Sequence, residues 1–326
     1  MTGQAGIVPV DQSLLSPAAL LATVAADYAI ETPRQCLLWS NNVTQTYIVT
    51  AEHARYILRV YKTGRRTDDD VAYELEALRH LAGKGLAVSV PIVRRDGAWF
   101  QTIQAPEGPR QMALFTSAPG GEAYRDEGYA ARYGRSVAAL HAASDDFLGA
   151  HQRFHLDITV LLERPLARIA PLLAYRPADW QYLQDLAAEV RRQVTALAAA
   201  GLEWGFCHGD TLGSNAYRDG DVITHFDFDD CGPGWRAYDL ATFVWIWARH
   251  EKPERGQEFL EGYSAHRPIA AVDRRALPLF VVLREIWVTG QQTREAATLG
   301  HALITDAYFD ARLRFLRSWE QQLGTI

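Results

Sequence analysis

Cysteine is scarce in this sequence of 326 residues, which contains three, at Cys36, Cys207 and Cys231. An odd number of widely spaced cysteines argues against a disulfide framework and favours reduced thiols. Residues 1–13 also lack the basic start and apolar stretch of a secretory signal peptide. A cytoplasmic location is therefore expected.

Long apolar runs and an excess of positive charge are also missing. No stretch reaches the roughly 18–20 apolar residues that cross a bilayer, so no membrane partner is expected. The 33 Lys and Arg residues are outnumbered by 39 Asp and Glu residues, which gives a formal net charge of −6. Nucleic acid is therefore not expected to be the main partner of this chain. The sequence is compatible with a monomer or a homodimer.

The N-terminal third has the pattern of an antiparallel sheet with one helix. Segments rich in β-branched and aromatic residues, 46–50 and 56–61, flank the turn-like pair Glu52–His53. Thr67 followed by three aspartates is typical of a helix start, and this helix is predicted to end near Leu81.

A second hairpin is predicted around Asp96–Gly97, because this dipeptide favours tight turns. Its strands are expected at 91–93 and 98–102, and another short strand at 112–115. Beyond that point the periodicity becomes helical. The predicted helices, separated by a β-like island at 206–227, are 129–144, 180–200, 240–249, 278–289 and 301–323. A β-rich part followed by a helical part indicates an α+β fold.

The β-like island contains the polar side chains best suited to metal binding and catalysis. Asp219–Gly220 is a strong turn signal, and a hairpin closed there brings Asn215 close to Asp227. Asp210 lies on the loop that leads into the first strand. Magnesium prefers oxygen ligands of this kind, so Asn215 and Asp227 are predicted metal ligands. Asp210 remains free to accept a hydrogen bond from an attacking hydroxyl and to orient it.

These motifs resemble a known enzyme family. The run His208-Gly-Asp210, followed by Asn215 and then by Asp227-Phe-Asp, is similar to the catalytic and metal loops of the aminoglycoside phosphotransferase and choline kinase superfamily. Homoserine kinases and stress-response kinases of this type share that pattern. The downstream block Gly232-Pro-Gly-Trp-Arg-Ala-Tyr-Asp239 also resembles the family.

The resemblance implies a two-lobed, protein-kinase-like fold with an N-terminal antiparallel sheet lobe and a mainly helical C-terminal lobe. Residues 1–116 would bind the nucleotide, and residues 117–326 would carry catalysis and the substrate. The activity implied is transfer of the γ-phosphate of ATP, with Mg²⁺, to a hydroxyl of a small molecule. In this assignment Asp210 is catalytic, and Asn215 and Asp227 hold the metal.

Two positions depart from the family pattern. The strand lysine that holds phosphates in such kinases is replaced by Arg59, and its expected partner is Glu74, which lies in an apolar helix face and needs a cation. The phosphate loop has no glycine and would depend on Ser40, Asn41 and Asn42. Backbone near Leu114 and Thr116 is expected to contact adenine.

Several alternatives stay open. The pairs His208/Asp210 and His225/Asp227 could belong to a two-metal hydrolase. Arg59 could mark a pseudokinase that binds nucleotide without turnover. Within kinases, the acceptor could be an antibiotic hydroxyl, an amino acid or amino alcohol, or a protein serine or threonine.

Overall fold

The structure, a computed structural model, describes residues 8–294 and 304–323. The chain divides into two compact units. The first comprises residues 1–119 together with 148–153 and 224–226, and the second comprises 120–147, 154–223 and 227–326. Among the described residues, no helix has the length and apolar character needed to cross a membrane.

The first unit is built on a five-stranded antiparallel sheet. The spatial order of its strands is β1-β2-β3-β5-β4. Apolar side chains of helix α1, among them Leu20, Val24 and Tyr28, pack with residues of the sheet in one buried cluster. The elements are α1 (Pro17–Asp27), β1 (Gln35–Asn41), β2 (Thr44–Thr50), β3 (Arg55–Tyr61), α2 (Asp68–Gly83), β4 (Gln101–Ala105) and β5 (Gly108–Thr116).

Helix α2 begins as its sequence predicts. The hydroxyl of Thr67 accepts a hydrogen bond from the Asp70 backbone N–H, and the Asp70 carboxylate accepts one from the Thr67 N–H. This capping box satisfies two backbone donors that would otherwise lack partners at the helix start. The buried face of α2 contains Glu74 among apolar residues.

The hairpin predicted between 91–93 and 98–102 is wrong. Gly97 does form a turn, with a φ of 87° and the Arg94 N–H donating to the Ala98 carbonyl. However, Ile92 N donates to Leu114 O, so the segment before the turn bonds to the end of β5. The hairpin that forms is β4–β5, in which residues 101–105 pair with 108–112.

The second unit is mainly helical and surrounds a large buried cluster. Helices α3 (Tyr129–Ala143) and α7 (Pro253–Ser264) approach closely at Gly134 and Gly262. Its helices are α3 (Tyr129–Ala143), α4 (Arg164–Leu173), α5 (Pro177–Ala199), α6 (Arg236–Arg249), α7 (Pro253–Ser264), α8 (Ala271–Arg294) and α9 (Asp306–Leu323). Of the predicted helix 301–323, residues 301–303 lie outside the described residues.

Two short antiparallel pairs interrupt the helices. Strand β6 (Trp204–Cys207) pairs with β9 (Gly232–Trp235), and β7 (Ala216–Asp219) pairs with β8 (Val222–His225). The β7–β8 hairpin is the one predicted from Asp219–Gly220. The loop from β6 to β7 and the loop from β8 to β9 contain the residues that the catalytic motifs single out.

Candidate active site

The loop that follows β6 is fixed by Asp239, a completely buried residue of α6. One carboxylate oxygen of Asp239 accepts a hydrogen bond from His208 N at 2.7 Å, and the other accepts from Gly209 N at 2.8 Å. The Thr211 hydroxyl donates to the Asp239 carbonyl. Gly209 has a φ of 80°, a conformation that favours glycine. These bonds fix the backbone immediately before and after Asp210.

Asp239 is supported in turn by His141 of α3. His141 Nε2 lies 3.1 Å from Asp239 Oδ2, and its Nδ1 lies 2.8 Å from the Tyr263 hydroxyl. Burial lowers the pKa of His141, so the ring is neutral, with Nε2 as the donor and Nδ1 as the acceptor. Burial alone would raise the pKa of Asp239, but the hydrogen bonds that its carboxylate accepts from His141 and from the Gly209 backbone outweigh burial and lower that pKa.

Asp210 is partly buried and accepts hydrogen bonds on both carboxylate oxygens. Asn215 Nδ2 donates to Asp210 Oδ2 at 2.7 Å and to the Asp210 carbonyl at 2.9 Å. Arg284 Nη2 donates to Asp210 Oδ1 and forms an ion pair with it. The structure therefore brings two of the predicted site residues, Asp210 and Asn215, into direct contact.

Arg284, from α8, is a site residue that sequence reasoning missed. Its side chain is 3% exposed, and Nη1 donates to the Gly209 carbonyl at 3.2 Å. The signal that could have found it is its position, because it interrupts the apolar run from Leu279 to Ile286. A charged residue in such a run requires a buried partner.

The loop after β8 carries Asp227, which is exposed and has a left-handed backbone with a φ of 64°. The following residue, Phe228, is buried and packs against the His208 ring in a tilted arrangement, with ring centroids 4.2 Å apart. A Cβ at Gly209 would lie 2.1 Å from the Asp230 carbonyl, so the two loops are in close backbone contact. A non-glycine residue with positive φ is uncommon, and such residues cluster at functional sites.

The donor set of these loops fits a hard divalent cation. Asp227 offers an exposed carboxylate, and Asn215, whose amide nitrogen binds Asp210, has its amide oxygen left for a metal. Magnesium takes oxygen ligands of this kind. The metal role of both residues stays a prediction.

The two-metal hydrolase alternative is not supported. It requires ligand atoms of the pairs His208/Asp210 and His225/Asp227 to converge. Within ranges 8–294 and 304–323, the one group of three potential His, Cys or carboxylate ligands within 4.8 Å is Glu31, Glu52 and His53, in the first unit. His208 instead packs on Phe228 and accepts a 3.3 Å hydrogen bond from Asp210 N.

In the first unit, Arg59 and Glu74 form a buried ion pair. Arg59 Nη1 lies 2.5 Å from Glu74 Oε1, and the Tyr61 hydroxyl donates to Glu74 Oε2 at 2.8 Å. Glu74 is completely buried and Arg59 is 7% exposed. Both residues come from neighbouring elements, β3 and α2, whose packing places them together. The role of the pair in holding phosphate stays a prediction.

The four other predicted nucleotide contacts lie at strand ends. Ser40 is in β1 and Asn42 is in the two-residue turn between β1 and β2. Thr116 N donates to Val90 O at 2.9 Å, and Leu114 O accepts from Ile92 N at 2.8 Å. These backbone groups of Leu114 and Thr116 are therefore already engaged by residues 90–92.

Comparison with known proteins gives consistent results. Residues 36–277 match the profile of the phosphotransferase enzyme family. An uncharacterized protein from Deinococcus radiodurans is 39% identical over an alignment of 324 residues that covers 97% of this chain and 93% of that protein. A homoserine kinase from Xanthobacter autotrophicus is 29% identical over an alignment of 244 residues that covers 71% of this chain and 71% of that protein.

A solved structure, described as an amicoumacin kinase in complex with AMP-PNP, Ca²⁺ and Ami, has a TM-score of 0.76 at 21% identity. The likeness covers 94% of this chain and 93% of that one. It confirms the predicted α+β, protein-kinase-like fold, and the profile match confirms the family resemblance predicted from the sequence. The chain belongs to the phosphotransferase enzyme family.

Proposed function

We propose that this protein is a kinase that transfers the γ-phosphoryl group of ATP to a hydroxyl of a small molecule. The observation that carries the proposal is the geometry at Asp210. Its carboxylate accepts hydrogen bonds on both oxygens, from Asn215 and Arg284. The backbone of its loop is fixed by hydrogen bonds to Asp239. A carboxylate held in this way can accept the acceptor's hydroxyl proton in a hydrogen bond and orient its oxygen for attack.

The other residues have supporting roles in this proposal. Asn215 and Asp227 would hold Mg²⁺, which neutralises negative charge on the phosphates when it is bound. Arg59, kept in place by Glu74 and Tyr61, would contact phosphate oxygens. Ser40, Asn42 and backbone near Leu114 and Thr116 would complete the nucleotide contacts.

A small hydroxyl compound is the proposed acceptor. The homoserine kinase and the amicoumacin kinase to which the chain is similar are named for small molecules. An amino acid, an amino alcohol and an aminoglycoside are the acceptor classes to test first.

The pseudokinase alternative has less support. It depended on Arg59, which replaces the family's usual lysine. Arg59 nevertheless makes the contact with the helix glutamate that a lysine would make, at 2.5 Å, and it retains a positive charge. Active turnover is therefore the better expectation.

The test is a screen of hydroxyl compounds with labelled ATP and Mg²⁺, in which transfer of label to the compound is measured. Asp210→Asn should reduce turnover by at least about 100-fold, because an amide cannot replace the carboxylate acceptor. Asp221→Asn is the matched control, since Asp221 is a surface residue at the β7–β8 turn. The proposal fails if no compound accepts phosphate, or if Asp210→Asn keeps turnover within tenfold of the parent.

A further inference from the structure

Arg284 occupies an unusual environment for an arginine. It lies in the middle of α8 and is 2% exposed. Its guanidinium carbon lies 4.7 Å from the ring centroid of Trp287, 5.4 Å from that of Trp245 and 5.9 Å from that of Tyr238. Aromatic faces attract a cation, and they also exclude the water that would otherwise solvate it.

Two of the three hydrogen bonds of Arg284 reach the loop that contains Asp210, and the third reaches Tyr238 of α6. Nη2 donates to Asp210 Oδ1, and Nη1 donates both to the Gly209 carbonyl at 3.2 Å and to the Tyr238 hydroxyl at 3.1 Å. Nε has no hydrogen-bond acceptor among the described residues. The arginine is thus buried with one donor unused, and its charged bonds are directed to the catalytic loop.

Stability alone is a poor reason for this arrangement. Burying a guanidinium and a carboxylate costs about as much desolvation energy as their attraction returns, and an unused buried donor adds to the cost. A leucine or methionine would fill the same space among Trp245, Trp287 and Tyr238 without that cost. The arrangement is better explained by what the guanidinium does to Asp210.

We propose that Arg284 is a positioning residue for phosphoryl transfer, a role that rests on the proposed kinase activity. Arg284 and Asn215 hold Asp210 from its two carboxylate oxygens, so the carboxylate cannot rotate. The lone pairs that remain then have one fixed direction in which to accept the hydroxyl of the acceptor. A misplacement of about 1 Å at such a group can reduce the rate roughly 100-fold.

The two charge-assisted contacts also define how Asp210 acts. Both carboxylate oxygens already accept hydrogen bonds, one of them from a full positive charge. A carboxylate held on both oxygens in this way can direct the hydroxyl of the acceptor. Asp210 therefore orients the acceptor oxygen, and the hydroxyl proton is transferred to it only as the new P–O bond forms and the bond to the leaving ADP breaks.

The experiment compares Arg284→Gln and Arg284→Lys with Arg236→Gln. Arg236 is a matched control, since it is also a buried arginine of the second unit whose Nε has no acceptor in the described part of the chain, but its partners are Asp145 and Glu203. We expect Arg284→Gln to reduce kcat about 100-fold with the KM for ATP within threefold of the parent. Arg284→Lys, which keeps the charge, should recover part of the loss. Arg236→Gln should lower Tm and leave kcat within threefold.

Two further measurements separate this proposal from a structural role and from the kinase proposal. Arg284→Ala leaves a space for a free guanidinium, so guanidine at millimolar concentration should raise its kcat at least fivefold and leave Arg236→Ala unchanged. Crystals of Arg284→Gln should show the Asp210 carboxylate rotated from its place. If that carboxylate keeps its position and its bond to Asn215, the positioning role is overturned whether or not the parent protein phosphorylates any compound. A kcat within threefold of the parent for Arg284→Gln would overturn it as well.

Discussion

At the residue scale, Arg59 and Glu74 form one ion pair, and mutation of each residue tests what the pair contributes to the use of ATP. Glu74 is completely buried, so Arg59→Met leaves its carboxylate without a cationic partner and removes the proposed phosphate contact. We expect Arg59→Met to reduce kcat/KM for ATP by at least about tenfold, and Arg59→Lys to retain most of the activity because it keeps a positive charge. Steady-state kinetics with varied ATP measures both.

The double variant Arg59→Met/Glu74→Ala decides whether the pair acts together. If it does, the double loss in kcat/KM is smaller than the product of the single losses, because each single change already breaks the pair. Tyr61→Phe removes the hydrogen bond to Glu74 Oε2 but keeps the ring, and serves as the mild reference. Independent single losses would argue that another cation holds the phosphates.

The sequence predicted some contacts of the site and missed others for a physical reason. Asp210, Asn215 and Asp227 lie in one short motif, where local spacing limits the possible geometry. Glu74 could be found because it interrupts an apolar helix face, as a buried carboxylate does. The apolar run around Arg284 marks it as buried, but its contact with Asp210, 74 residues away, is made by tertiary packing that no local pattern encodes.

At the scale of elements, the contact between α3 and α7 depends on two glycines. A Cβ at Gly134 would lie 2.1 Å from the Phe259 carbonyl, and one at Gly262 would lie 2.1 Å from the Ala131 carbonyl. Backbone atoms of a packed helix cannot move away cheaply. We therefore expect Gly134→Ala to lower the free energy of unfolding by about 1–3 kcal/mol, measured by urea denaturation.

Gly83→Ala provides the matched control in the first unit. Gly83 ends α2, and a Cβ there would meet nothing within 4 Å. Alanine favours a helix over glycine, so this change should be neutral or stabilise by up to about 1 kcal/mol. Equal effects of the two substitutions would show that helix propensity, and not the α3–α7 contact, governs the result.

Local signals predicted the elements well where the bonds that form them are also local. The capping box at Thr67 and the turn at Asp219–Gly220 depend on residues a few positions apart. The predicted hairpin at 91–102 was wrong because its first segment bonds to the far end of β5, at Leu114. The turn at Gly97 forms without a hairpin around it, since strand pairing is decided by which edge is available.

At the scale of the whole molecule, acid should destabilise the fold through the buried pair of His141 and Asp239. The folded state keeps His141 neutral. In the unfolded chain the same ring takes up a proton as the pH falls below the ordinary histidine pKa of about 6.5. The free energy of unfolding therefore falls as the pH is lowered, by up to about 1.4 kcal/mol per pH unit for one proton. The lowered pKa of Asp239 adds a loss in the same direction at still lower pH.

Urea denaturation from pH 5 to pH 8 measures this dependence. His141→Asn keeps a hydrogen-bonding side chain but has no group that titrates in this range. We expect the variant to be less stable at pH 8 and to show a smaller decline in stability below pH 6.5. An unchanged pH slope in His141→Asn would show that other groups dominate the acid sensitivity.

The path of the chain through the two units is the part of the fold least accessible from the sequence. Composition indicates one change, from strands to helices, whereas residues 148–153 and 224–226 return to the first unit. The contacts that hold them are long-range: Arg153 Nη1 donates to Asp70 O, and His225 N donates to Ala87 O. Such contacts leave no periodic signal in either segment.

The left-handed backbone of Asp227 also constrains how this protein can diverge. Aspartate, asparagine and glycine tolerate that conformation, and most other residues are strained in it. A lineage that abandoned phosphoryl transfer would be free to lose the carboxylate but would still need the turn. We therefore expect inactive descendants to carry asparagine or glycine at this position. Such a replacement would preserve the left-handed backbone and lose only the carboxylate.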